Sequence, residues 1–156
     1  DDAEDTCVAK TRDVIGGIAA KAIQMGRYEE AERMLVSKLD RLLERAMLQQ
    51  PLSSAEDEDP DATFATATGH ALQLAEGLRD ARWIDWVFRI HLATGRLMDA
   101  ATIEAMHTLV RKQDYRRRKH VRTYLQAIQE RASEFGASER FLASRIEGLA
   151  QVISTR

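Results

Sequence analysis

Gly26-Arg27-Tyr28-Glu29-Glu30-Ala31 and Gly95-Arg96-Leu97-Met98-Asp99-Ala100 are two versions of one segment, with their glycines 69 residues apart. An amphipathic apolar pattern runs into each segment and another runs out of it. Each therefore reads as the tight turn of a helical hairpin, with Gly supplying the backbone freedom that the turn needs. The spacing is close to twice the roughly 34-residue period of arrays in which paired helices stack on their neighbours. The fold expected from these two turns is an all-α array of about seven helices in antiparallel hairpins.

Composition agrees. The 156 residues contain 2 prolines and 8 glycines, and Ala, Leu, Arg, Glu and Gln dominate, a helix-forming mixture long enough to bury a core as one domain. Cys7 is alone and has no partner for a disulfide within the chain. No apolar run approaches the roughly 18 residues needed to cross a membrane, so a cytoplasmic location and no membrane partner are expected. The chain begins Asp1-Asp2 without an initiator Met, which reads as a piece of a longer protein.

The formal charge of −2 conceals an asymmetry: residues 1–80 carry 9 Lys/Arg against 17 Asp/Glu, and residues 81–156 carry 14 against 8. Much of the acid lies in a leader expected to be disordered, residues 1–10, and in a linker expected to be mobile, residues 51–61. The domain proper is taken as residues 11–156, a basic body with acidic flexible parts.

Along that body, Val14, Ile15, Ile18, Ala19, Ala22 and Ile23 form one apolar stripe that ends at Gly26. The second arm runs from about Glu29 to Gln49, with Ala31, Leu35, Leu39, Leu42, Leu43 and Ala46 on one face. Further helices are expected over residues 62–78, 82–93, 98–112 and 116–135, followed by a last one opened by Ser138.

Ile18, Ala19, Gly26, Tyr28, Ala31 and Leu35 resemble the signature of a tetratricopeptide repeat: small residues where paired helices touch, an aromatic at the turn, and Ala opening the second helix. The copy at Gly95 departs from it, with Leu97 in place of the aromatic, Phe88 where a small residue belongs and Glu104 where a large apolar one belongs. A second resemblance rests on the order Val14–Leu39, then Leu72-Gln73-Leu74-Ala75 with Trp83-Ile84-Asp85-Trp86-Val87-Phe88, then Glu139-Arg140-Phe141-Leu142 with Arg145-Ile146-Glu147-Gly148-Leu149. These are similar to the helical region that follows the forkhead-associated (FHA) domain in some bacterial signalling proteins. That resemblance implies association with Ser/Thr phosphorylation, without phosphopeptide binding by this segment.

Catalytic apparatus is not evident. Glu104-Ala105-Met106-His107 has the Glu-x-x-His spacing of di-iron bundles, but one copy does not make a site. His70, His91 and His120 stand in no ligand spacing with Cys7, and no nucleophile motif or phosphate loop occurs. A non-enzyme without metal or other cofactor is expected.

Two surfaces stand out as partner-binding candidates. Arg111, Lys112, Arg116, Arg117, Arg118, Lys119 and Arg122 form the densest basic cluster, placed where positive charge opposes a helix dipole. Reversing Arg116, Arg117 and Arg118 to Glu is expected to remove partner binding and leave the helices intact. Trp83 and Trp86, framed by Arg82 and Arg89, form an aromatic face in the chain's richest aromatic stretch. The function expected is a non-catalytic protein–protein interaction scaffold in bacterial signalling, linked to Ser/Thr kinase pathways. Its partner would be an acidic or phosphorylated protein rather than a specific nucleic acid, and it has the option of homodimerising. The alternatives are a secretion-type chaperone cradling a client and a helical nucleic-acid-binding regulator.

Overall fold

Each apolar stripe needs a neighbour to cover it, and here the neighbours are supplied by two layers of helices. The computed structural model describes residues 14–53 and 58–154. Helix α1 covers 14–24, α2 Tyr28–Met47, α3 Pro60–Leu78, α4 Ala81–Thr94, α5 Ala100–Lys112, α6 Arg118–Glu130 and α7 Ala137–Ser154, with a short 3-10 turn at Ala132–Glu134. No strand occurs among the described residues. The described residues form an all-α array of seven helices.

Helices α2, α4 and α6 lie side by side. The first two run in the same direction, because successive residues of α4 meet successive residues of α2. Trp83 Nε1 donates to Glu32 at 2.6 Å, Trp86 Nε1 to the Leu39 carbonyl at 3.1 Å, and Arg89 reaches the Met47 sulfur at 3.6 Å. Over this layer α3 packs on α2 and α4, α5 on α3 and α7, and α7 on α5 and α6. Helix α4 is therefore enclosed on nearly all sides, and Trp83, Ile84, Trp86, Val87, Phe88 and Ile90 are all buried.

The repeated glycine segment encodes something narrower than a hairpin. Gly26 has φ +75° and Gly95 φ +66°, the left-handed region that suits glycine. At the first, Gly26 N bonds Ile23 O at 3.0 Å and Arg27 N bonds Ala22 O at 2.8 Å; at the second, Gly95 N bonds Leu92 O at 3.2 Å and Arg96 N bonds His91 O at 3.0 Å. Both are Schellman caps. The second cap does not lead into the antiparallel arm expected of it: the main neighbours of α4 are α2, α3 and α6, and those of α5 are α3 and α7. Residues 95–99 instead carry the chain from one layer to the other. Helix α6 fixes this crossing, since the Tyr124 hydroxyl donates to Arg96 O at 2.7 Å and accepts from Met98 N at 2.9 Å, while Arg131 donates to Gly95 O at 2.6 Å.

Several expected boundaries shift, each for a local reason. Helix α3 starts at Pro60 rather than 62, because Pro suits the first helical turn and the Asp59 carboxylate caps it, accepting from Asp61 N at 3.0 Å. The helix expected over 116–135 ends at Glu130; the 3-10 turn then brings Phe135 into the core. Helix α7 opens at Ala137, with Glu139 reaching back to Gly136 N at 3.3 Å as half of a capping box. The leader 1–10 lies outside the described residues, as do residues 54–57 of the linker. The remainder of the linker is tied to the body: Arg45 Nε donates to Pro51 O at 2.9 Å, Leu52 packs on the core, and the Ser53 and Thr63 hydroxyls are 3.2 Å apart.

Candidate functional site

The aromatic face is spent on the interior. Trp83 is 0 % and Trp86 3 % exposed, and both indole N–H groups are satisfied within the layer. An indole buries about 200 Å², worth on the order of 5 kcal/mol at about 25 cal/mol/Å². Neither ring presents itself to a partner, which corrects that expectation. Arg82 forms two bonds to Asp40, at 3.0 and 2.9 Å, with its guanidinium over the Trp83 ring at 4.8 Å. Arg82 and Arg89 thus staple α2 to α4 rather than framing a groove.

The basic cluster is divided among internal tasks. Arg117 binds the carboxylate of Asp85, a buried residue that also accepts the Tyr115 hydroxyl; burial, then the bond to Asp85, pushes the Tyr115 phenol well above its ordinary range. Arg116 pairs with Asp114 at 2.9 Å, Arg118 donates to Ser154 O at 2.9 Å, and Lys112 lies 4.0 Å from Glu76. Arg111 sits close enough to His107 that its charge, after burial, helps lower the pKa of that imidazole. Lys119 and Arg122 remain on the exposed side of α6. Asp85 explains much of the apparent mismatch of charge and dipole at this helix start, because it supplies the missing anion from within the fold.

Glu104 is exposed and His107 half-buried, and among the described residues no group of three or more His, Cys, Asp or Glu is placed to hold a metal ion. No helix of those residues is long and apolar enough to cross a membrane.

The strongest candidate surface was not among those expected. Helix α1 divides its apolar residues between two sides: Ala19, Ala22 and Ile23 enter the core, whereas Val14, Ile15 and Ile18 are 58, 44 and 49 % exposed. Beside this exposed side runs a groove of about 500 Å³, flanked by Ile15 and Gly16 and bordered by residues of α2 from Met34 to Arg45 and of α3 from Ala62 to His70. The α2 border extends over about three turns, roughly 16 Å at 1.5 Å per residue, and the α3 border over about two turns, roughly 12 Å. Leu35, Leu39, Leu42 and Ala67 form its apolar floor. Met34, Lys38, Arg41 and Arg45 line the α2 side at helical spacing. His70 stands opposite, its pKa lowered by burial and then by the charge of Lys38. Glu58 and Asp59 close one end.

A sequence signal for this groove exists in the stripe Met34, Lys38, Arg41 and Arg45, which separates the core face of α2 from its acidic face. Another hollow, of about 530 Å³, lies where the C-terminal ends of α2 and α4 approach, between Gln49 and Arg96. Its walls are largely helix ends and turn backbone. In comparisons with known proteins, no family model, no curated protein and no solved structure matches this chain.

Proposed function

We propose that this chain is a non-catalytic protein-interaction module of tetratricopeptide-like design, and that its docking surface is the groove between α1, α2 and α3. One observation carries the reading: a groove with an apolar base, about three helical turns long on its α2 side, next to the exposed Val14, Ile15 and Ile18. Contiguous exposed apolar surface with a polar rim is characteristic of docking sites, and a groove of this length suits a segment of partner helix. The signalling setting, with its link to Ser/Thr kinase pathways, comes from the forkhead-associated resemblance and forms part of the same proposal.

A photo-reactive residue at Ser37, an exposed position on the groove, tests the assignment against a control probe at the exposed Glu147 on α7. The Ser37 probe should give a defined adduct in native extract that the Glu147 probe does not give. Thr66→Trp, which fills the groove from the exposed side of α3, should remove it. Equal adducts from both probes, or an adduct indifferent to Thr66→Trp, would take the groove out of the function.

A further inference from the structure

Resting on that reading, we infer that the occupant of the α1/α2/α3 groove is an amphipathic helix of a partner protein bearing acidic residues beside its apolar face. The floor sets the apolar requirement. The base of the groove is Leu35, Leu39 and Leu42, themselves only 1, 1 and 5 % exposed, and its reachable apolar surface is the half-buried Met34 and the exposed Ile15 on the flanks, so an entering helix anchors through apolar residues along one face. Gly16 leaves the flank low: a Cβ added there would meet nothing within 4 Å, so the backbone of an incoming helix has room beside α1.

Charge sets the remainder. Lys38 and Arg41 stand exposed on the groove wall, one helical turn apart, and neither forms an ion pair among the described residues. They differ in this from Arg82, Arg116 and Arg117, whose charges are answered within the fold. Asp40 does not supply the counter-charge, because it is committed to Arg82 on the other side of α2. Glu58 and Asp59 lie at the end of the groove, where Asp59 is occupied as the cap of α3. A helix with Glu or Asp over Lys38 and Arg41 satisfies both cations; a basic helix meets repulsion along the wall. Exposed pairs contribute modestly, so two of them amount to about a tenfold preference rather than the whole affinity.

The probe is a helix-stabilised peptide of about four turns with Leu at i, i+3 or i+4, and i+7, flanked by Glu, alongside the same peptide with Lys replacing Glu. Both are titrated against the full chain by fluorescence anisotropy. The Glu peptide should bind about tenfold more tightly, with the difference shrinking as salt screens the wall. The double variant Lys38→Glu, Arg41→Glu should reverse the order, and Lys38→Gln, Arg41→Gln should bring the two peptides level, each with an unchanged circular dichroism spectrum. Equal binding by wild type, or an order unaffected by reversal, overturns the inference. So does binding of neither peptide, a dimer of this chain formed through the groove, or capture of anionic vesicles by the same two residues. If the Ser37 adduct survives any of those results, the interaction reading stands and only the acidic-helix assignment falls; loss of the adduct removes the reading itself.

Discussion

The ring of Tyr28 lies directly on Gly77: a Cβ added at Gly77 would overlap three of its ring carbons. Tyr28 opens α2 and Gly77 sits near the end of α3, so this single approach sets how closely the first turn seats on the next helix. The glycine is chosen for proximity here, not for backbone freedom. Alanine is ordinarily better than glycine in a helix by about 0.5–1 kcal/mol, yet Gly77→Ala should destabilise by about 1–2 kcal/mol because the ring has to be displaced. In a Tyr28→Ala background the same change should become stabilising. Urea denaturation of the four proteins reads the reversal of sign.

His91 makes stability depend on acid. It is buried in α4 with its Nδ1–H donating to Val87 O at 2.7 Å and its ring edge-on to Phe64. Burial lowers its pKa to about 4 from 6.5. Between those values the unfolded chain holds the proton and the folded one does not, so stability is fully present above about pH 6.5 and is lost as pH falls towards 4. The loss is at most about 3 kcal/mol. His91→Phe should flatten the pH dependence of the denaturation midpoint over this window relative to wild type.

Helix ends show what was legible in the chain and what was not. Gly26 and Gly95 announce their caps because glycine is at home at positive φ. Gln49 (φ 56°) and Asp114 (φ 50°) close α2 and α5 with the same bonding, Gln50 N to Arg45 O at 2.9 Å and Tyr115 N to Val110 O at 3.0 Å, and their residue types conceal it. The apolar stripes of α2, α3 and α5 were readable because each has one wet face. Helix α4 has apolar residues on all sides but that of the exposed Arg82 and Arg89, the mark of a largely enclosed helix, so its tryptophans belong to the core. The stripe Met34, Lys38, Arg41 and Arg45 marks only the α2 side of the groove; that the groove exists depends on how α1 and α3 flank α2, and periodicity within one helix carries no information about that.

Those disguised caps can be improved. A non-glycine residue in the left-handed region costs about 1 kcal/mol. Gln49 is exposed, so replacing its side chain forfeits little burial. Gln49→Gly should raise stability by about 0.5–1 kcal/mol, read as a higher urea midpoint with an unchanged slope. Gly95→Ala, the opposite change at φ +66°, should lower it by a similar amount or more.

The start of α3 is a structural element rather than spare linker. Asp59 caps the helix, and Asp61 in its first turn pairs with Arg96 at 2.7 Å, whose guanidinium also covers the Phe64 ring at 4.5 Å. Asp59→Ala should cost about 1 kcal/mol. Deletion of residues 51–61, which from composition alone would leave the melting temperature almost unchanged, should lower it by several degrees. An unaltered melting temperature would mean that these caps contribute nothing.

Asp85 turns the basic cluster into two classes of residue. Its carboxylate is buried and receives both Tyr115 and Arg117, joining α4 to the start of α6. Asp85→Ala strands a buried phenol and a guanidinium, and should cost about 2–4 kcal/mol. Arg117 is 59 % exposed at its side chain, so its removal costs less. Arg117→Glu, however, sets a carboxylate against Asp85 and should destabilise by about 1–2 kcal/mol. Reversal of Arg116, Arg117 and Arg118 together is therefore not the neutral surface change that their clustering implies. Lys119→Glu or Arg122→Glu, on the exposed side of α6, should stay within about 0.5 kcal/mol of wild type. Asp85→Asn separates the two explanations for an Arg117→Glu defect: if the loss is repulsion from Asp85, the Asn background should recover most of it in denaturant titrations, and if it is a general effect of negative charge at the helix start, that background should recover none.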